Sequence, residues 1–426
     1  MVSNTVGIAQ MSPEKDDTGD SESLKLQQMQ YYWGMKMGSG EPQSIFDPKR
    51  IGQTVRNQYE FVNVDGSVYW PTDGLSVLTT NSESTVSTKA VIIGQLVKSF
   101  TSAAPSDVPK SDGILDDMLT GLDFEDFGTV FIVVNNAFDT PNFWNYEPML
   151  APHTIRGSAK IWSTHPPSKS SGRVTVFQEA QAAFFASVDT SPRYKWVAMA
   201  SSSGRSYALE TDHIYLLGNY IPGKSKRALS FDVYGISEAD QYQALARVLA
   251  GDVVNHKMDS LEFLYSIAGK PSWAHYPGIS QLQSPGVPHK SMPMNRMPEA
   301  SLYFEGSAGR WVLVSIIQYT HFTLCTSAGA DITGEWNCVA DDKTAIAAPW
   351  TDSGVYNVYA GRAHPEFRSY ATAESSSGAV AGGISGRSIP VLLSYVANTR
   401  EGPGVLVEEE FYKAYLPKFV HAELML

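Results

Sequence analysis

From about Tyr59 to the C-terminus, short apolar runs rich in β-branched residues alternate with Gly, Pro, Asn and Asp punctuation. Examples are TVFIVVNN (129–136), YKWVAMASSS (194–203), DHIYLLGNY (212–220) and LEFLYSIAG (261–269). ASLYF with RWVLVSII (300–317) and IPVLLSYVAN (389–398) continue the pattern. Runs this short, rich in Val, Ile, Tyr and Leu and bounded by turn formers, predict strands. One stretch reads as a helix. SEADQYQALARVLAG (237–251) offers Ser237 as N-cap, Asp240 at N3 and Gly251 near the C-cap.

The expected fold is therefore all-β. Many short strands with no helical half point to paired sandwiches or a propeller. A recurring unit favours the propeller: a small or polar entry, a β-run, a turn, then a second run ending in Gly or Trp. Its starts lie near Trp70, Ser203, Ser260, Glu299 and Arg362. Five such units predict a five-bladed β-propeller with loop insertions and one short helix. Residues 1–50, polar and rich in Ser, Asp, Gln and Gly, read as a flexible N-terminal arm, which leaves 51–426 as a single propeller domain. The acidic stretch 101–127 and the Pro-, Ser- and Met-containing stretch 279–297 read as insertions.

Composition narrows the partners. The net charge of −12 over 426 residues supplies no basic stripe for phosphates, so no nucleic-acid partner is expected. No apolar run is long enough to cross a bilayer, so no membrane association is expected either, and the chain is expected to be a monomer. The N-terminus lacks a basic region followed by an apolar one. Compartment stays open: extracellular and secreted if a signal peptide has been removed, cytoplasmic otherwise. Cys325 and Cys338 are the two cysteines, spaced to allow either a hairpin-spanning disulfide or a buried thiol pair. Aromatics make up 11% of the chain, which suits core packing and also stacking on sugar rings.

The candidate chemistry starts at YWPTDG (69–74). Asp73 is either a turn residue beside Pro and Gly or a site acid floored by Tyr69 and Trp70. The motifs of the C-terminal half bear on that choice. PEASLYFEGSAGRWVLVSI (298–316) followed by ADITGEW (330–336) resembles the fourth blade of five-bladed β-propeller glycoside hydrolases. YAGRAHPEF (359–367), PVLLSYVAN (390–398) and FYKAYLPKFVHAELML (411–426) resemble the last blade of arabinan- and furanoside-degrading and uncharacterised relatives. YWPTDG resembles the W-x-x-DG entry of their first blade.

The resemblance implies a carbohydrate-active enzyme that cleaves glycosidic bonds of an oligo- or polysaccharide with two carboxylates in the axial funnel. It implies Asp73 as base or nucleophile and Glu299 as acid. Asp212 in ALETDHIY is a candidate third carboxylate, although ETD also reads as a hairpin turn. Glu147 in FWNYEPML, flanked by Trp144 and Tyr146, is its rival and a candidate substrate contact. The last-blade resemblance implies that His364 lies near the axis and touches substrate, an ion or a water. Arg362 would share its face on a strand. Trp70, Trp144 and Trp273 are candidate sugar platforms, whereas Trp311 in GRWVLV reads as core. No cofactor is required. Ca²⁺ is compatible with the supply of Asp, Glu and backbone oxygens, but no metal-ligating motif is present. Two alternatives stay open: a lyase or other small-molecule-converting enzyme using a His or Tyr base, and a non-catalytic glycan-binding propeller.

Overall fold

The computed structural model describes residues 35–37, 42–44, 46–58, 67–80, 86–100, 123–139, 143–154, 193–221, 242–267, 270–275, 300–317, 321–339, 346–347, 355–365, 388–399 and 418–425. Among these the protein is all-β apart from two short helices. β1 (Met35–Met37) and β2 (Pro42–Ser44) form a small hairpin, followed by α1 (Pro48–Gln58). Asp47 starts α1: its carboxylate accepts the Lys49 N–H at 2.9 Å, and Pro48 supplies a preset helical φ.

Among the described residues four sheets follow in chain order, antiparallel except for one parallel pairing, where the sequence predicts five units; the starts expected near Ser203 and Ser260 both fall within the second sheet. The first holds β3 (Ser67–Thr80), β4 (Val86–Phe100), β5 (Asp123–Val134) and β6 (Tyr146–Leu150). The second contains β7 (Arg193–Ser201), β9 (His213–Ile221), β10 (Tyr242–Leu249), β11 (Glu262–Ile267) and β12 (Lys270–Ala274). Between β7 and β9, β8 (Tyr207–Leu209) leaves to pair in parallel with β3. α2 (Ala250–Val254) follows β10. The third sheet holds β13 (Ala300–Glu305), β14 (Arg310–Ile317), β15 (His321–Ser327) and β16 (Trp336–Val339), with β17 (Ile346–Ala347) also on β15. The fourth comprises β18 (Val355–Ala363), β19 (Ser388–Thr399) and β20 (Lys418–Met425). The first strands of successive sheets touch, β3 against β7, β7 against β13 and β13 against β18.

The sheets stack face to face, and this explains why their strands are apolar on both sides. In β4, Val91 and Ile93 face the second sheet while Ala90 and Ile92 face away, where Phe46, Ile51 and Val55 cover them. The second sheet likewise turns Leu216 and Ala246 to the first sheet, and Leu217 and Leu245 to Leu302, Trp311 and Leu313 of the third. Where the third and fourth sheets meet, a Cβ at Gly361 would collide with Ile316, so only glycine allows this approach.

Several expectations change. Residues 242–249 of the expected helix 237–251 are strand β10, paired on both sides with β9 and β11. Its Ala- and Leu-rich sequence has helical propensity, but Leu245 and Val248 are buried on opposite faces, and sheet pairing overrides the local preference. Residues 237–241 lie outside the described residues, and Gly251 falls inside α2. α1 had no expected counterpart. Within the expected N-terminal arm, Phe46 is 1% exposed and meets Tyr69 and Tyr146 edge-on. β5 begins at Asp123, so the last residues of the expected insertion 101–127 are strand; 279–297 lies outside the described residues. No described helix is long and apolar enough to cross a membrane.

Candidate functional site

Asp73 is not a turn residue. It lies within β3 at a β-bulge, where pairing with β4 skips from Pro71 to Asp73. The extra residue, Thr72, hydrogen-bonds the Ile93 carbonyl at 3.2 Å. A bulge shifts the side-chain alternation by one. Before it, Tyr69 faces the α1 side; after it, Leu75 and Val77 face the second sheet. Asp73 therefore turns to the second sheet, and its Oδ2 accepts the Met199 N–H at 2.7 Å. Oδ1 accepts the Gly74 N–H at 2.9 Å, and the residue is 8% exposed.

Met199 follows a second bulge, where β7 pairing with β9 skips from Trp196 to Ala198. Three buried side-chain links brace it. Gln95 Nε2 donates to the Trp196 carbonyl at 2.8 Å, Thr129 Oγ1 donates to Gln95 Oε1 at 3.1 Å, and the Trp196 N–H donates to Thr129 Oγ1 at 3.2 Å. Sequence reading missed Gln95 and Thr129, because a polar residue inside an apolar run gives no hint of its partner. Opposite the bulge, Gly218 leaves no room for a Cβ against the Lys195 carbonyl.

Arg362 and His364 form a second polar cluster, on the first strand of the fourth sheet and just beyond it. They are 6% and 1% exposed. β18 carries a bulge between Tyr359 and Arg362, and Arg362 lies directly opposite Ser394. His364 Nε2 and Ser394 Oγ share a hydrogen bond at 2.6 Å, and the His364 N–H donates to the Leu392 carbonyl at 2.8 Å. Ser301 of β13 donates to the Ala363 carbonyl at 3.5 Å, tying the third sheet to this point. Ser394, in LSYVAN, also escaped the sequence reading.

The other candidates are dispersed. Glu299 lies outside the described residues. Asp212 closes the turn before β9, its Oδ2 accepting the Leu209 N–H at 2.8 Å. Glu147 is exposed, paired with His256 at 3.2 Å and bonded by Asn135 at 3.2 Å. Trp144 is half-buried against Phe46, with its indole N–H on the Asp139 carbonyl at 2.9 Å. Trp70 is half-buried opposite Gln95. Trp273 is half-buried: it stacks on Tyr215 with ring centres 5.9 Å apart and lies 4.5 Å beneath the Arg247 guanidinium, which Glu262 holds at 2.7 Å. Burial pushes the Tyr215 phenol up and His213 down, with Arg247 adding to the His213 shift. Trp311 is core, as its place in GRWVLV suggests. Cys325 and Cys338, opposite one another on β15 and β16, are disulfide-bonded. Among the described residues no three His, Cys, Asp or Glu side chains gather as a metal site would need.

No protein-family model matches the chain, and no curated protein matches it. Among solved structures it is similar to a protein from Bacteroides ovatus described as a "putative hydrolase", with 12% identity and a TM-score of 0.39 over 84% of this chain and 61% of that one. It is also similar to a protein of unknown function from Dyadobacter fermentans, with 10% identity and a TM-score of 0.31 over 92% and 81% of the two chains. The chain thus spans 61% of the length of the first. Likenesses this distant carry no argument about chemistry.

Proposed function

We propose that the protein is a carbohydrate-active enzyme built as a β-propeller, and that it hydrolyses glycosidic bonds in an oligo- or polysaccharide. One observation carries the reading. The buried ionisable residues Asp73 and Arg362 lie on the first strands of their sheets, with His364 immediately after, and those first strands contact one another in chain order. In a propeller such strands line the axis, where ligands bind. Residues 51–426 would form that domain, with residues 1–50 as its N-terminal extension.

Asp73 takes the role of base or nucleophile, held by backbone N–H donors that favour a carboxylate acting as acceptor. Glu299, immediately before β13, takes the acid role. Glycoside hydrolysis needs two such groups about 5–10 Å apart. The chemistry is complete without a cofactor; a calcium ion, if bound, would only order the axis. The protein would act as a monomer, without nucleic-acid or membrane partners.

The Met199 bond favours a second reading. A carboxylate engaged by a neighbouring sheet can be a structural brace, which would leave a glycan-binding propeller without turnover. Reducing-end release from arabinan, xylan, fructan and pectic substrates separates the two. The enzyme reading expects release that Asp73→Asn and Glu299→Gln both abolish. Binding without release would support the binding module.

A further inference from the structure

Arg362 has a feature that the hydrolase reading does not use. Its side chain is 6% exposed, Nη1 is fully enclosed with no hydrogen-bond partner, and among the described residues no carboxylate pairs with the guanidinium. No aromatic ring among them caps it either. A guanidinium stays charged at any ordinary pH, so it cannot avoid the cost of burial by losing its proton. Buried charges in folded proteins are paired, and leaving one unpaired is strongly unfavourable. An incoming anion would complete it with charge-assisted hydrogen bonds.

Position supports the same conclusion. Gly361 turns to Ile316 and Phe322 of the third sheet, so Arg362 and His364, one residue out of phase, share the opposite face with Ser394. His364 and Ser394 are already bonded to each other, and Ser394 is the residue directly opposite Arg362 in the register of β18 with β19. The planar fork of arginine suits a carboxylate bidentately. One positive charge balances a monoanion. A phosphate monoester, carrying about −1.5 to −2 charges at neutral pH, would be left under-neutralised on a chain of net charge −12.

We infer that Arg362, flanked by His364 and Ser394, is the anchor for a carboxylate on the substrate, and that the saccharide is a uronic-acid-bearing glycan. The sugar part rests on the proposed carbohydrate activity; the carboxylate part rests on Arg362 alone.

Calorimetric titration of the full chain tests this with trimers of galacturonate and glucuronate, their carboxyl-reduced neutral counterparts, and acetate. A uronate trimer should bind at least about tenfold tighter than its neutral counterpart, equivalent to about 1.4 kcal/mol. Arg362→Met should erase that difference while remaining folded, with a Tm equal to or above wild type because an uncompensated charge is gone. Arg362→Lys should keep part of the preference. Equal affinity for charged and neutral trimers, no binding of either uronate, or a preference intact in Arg362→Met would overturn the inference. Acetate binding as tightly as the trimers would overturn the saccharide assignment. Uronate binding without cleavage would leave the inference standing and remove the hydrolase reading; cleavage of neutral glycans without uronate preference would do the reverse.

Discussion

Asp73 Oδ2 accepts the Met199 N–H at 2.7 Å, so a carboxylate of one sheet is bound to the backbone of the next. Both residues sit at or just after β-bulges, in β3 and β7. The bulges set side-chain direction, and the contact exists only because both strands carry one. Asp73→Asn keeps the shape but replaces two acceptor oxygens with an amide, one end of which is a donor. The substitution should cost about 1–3 kcal/mol, the penalty for leaving a buried hydrogen-bonding group unsatisfied. Denaturant unfolding of the variant checks this. Activity comparisons then need conditions in which both proteins are fully folded.

Gly218 makes the β7 bulge possible, because a Cβ there would strike the Lys195 carbonyl and the Trp196 Cα. Gly218→Ala should destabilise by about 1–3 kcal/mol through overpacking against backbone, which cannot swing aside. Gly329→Ala is the control, since no heavy atom lies within 4 Å of its added Cβ. The two variants should separate clearly in Tm, with the control near wild type.

The Cys325–Cys338 disulfide closes a loop of sequence separation 13. A loop of this size restrains the unfolded chain by about 3 kcal/mol. The double variant Cys325→Ala with Cys338→Ala should lose close to that amount. Dithiothreitol should lower the Tm of wild type and leave the double variant unchanged.

Burial pushes the Tyr69 phenol well above its usual value of 10.0, and its hydroxyl donates to the Val130 carbonyl at 3.1 Å. In the unfolded chain the phenol ionises near pH 10. The folded protein resists that ionisation, so this contribution to stability is whole below about pH 10 and declines as pH rises beyond it. Tyr69→Phe should lower stability at neutral pH by about 1 kcal/mol, for the lost hydrogen bond. It should also flatten the fall of Tm between pH 9 and 11.

Strand positions were legible in the sequence because burial on both faces makes each run apolar: β7, β9, β14 and β19 fall within a few residues of the runs that predict them. What the sequence concealed depends on partners far along the chain. QALARVL has the composition of a helix, and only pairing with Tyr215 on one side and Glu262 on the other makes Arg247 a strand residue. PTDG has the composition of a turn, yet continuous pairing with β4 on both sides of Thr72 turns it into a bulge. At the candidate site, His364 and Arg362 could be singled out from RAHPEF, but Ser394, 30 residues on, could not. Trp273 looked like a free platform in a Pro- and Gly-rich segment; its meeting with Arg247 and Tyr215 comes from cross-strand register.

The most direct test is mass spectrometry of glycan products formed in ¹⁸O-labelled water. Hydrolysis breaks a glycosidic C–O bond and adds one water, so each cut by wild type should release one fragment carrying one ¹⁸O at its new reducing end, while the leaving fragment keeps the glycosidic oxygen. Folded Asp73→Asn and Glu299→Gln should release none. Unlabelled fragments with an unsaturated end, or labelled release undiminished in both variants, would contradict a paired-carboxylate glycoside hydrolase.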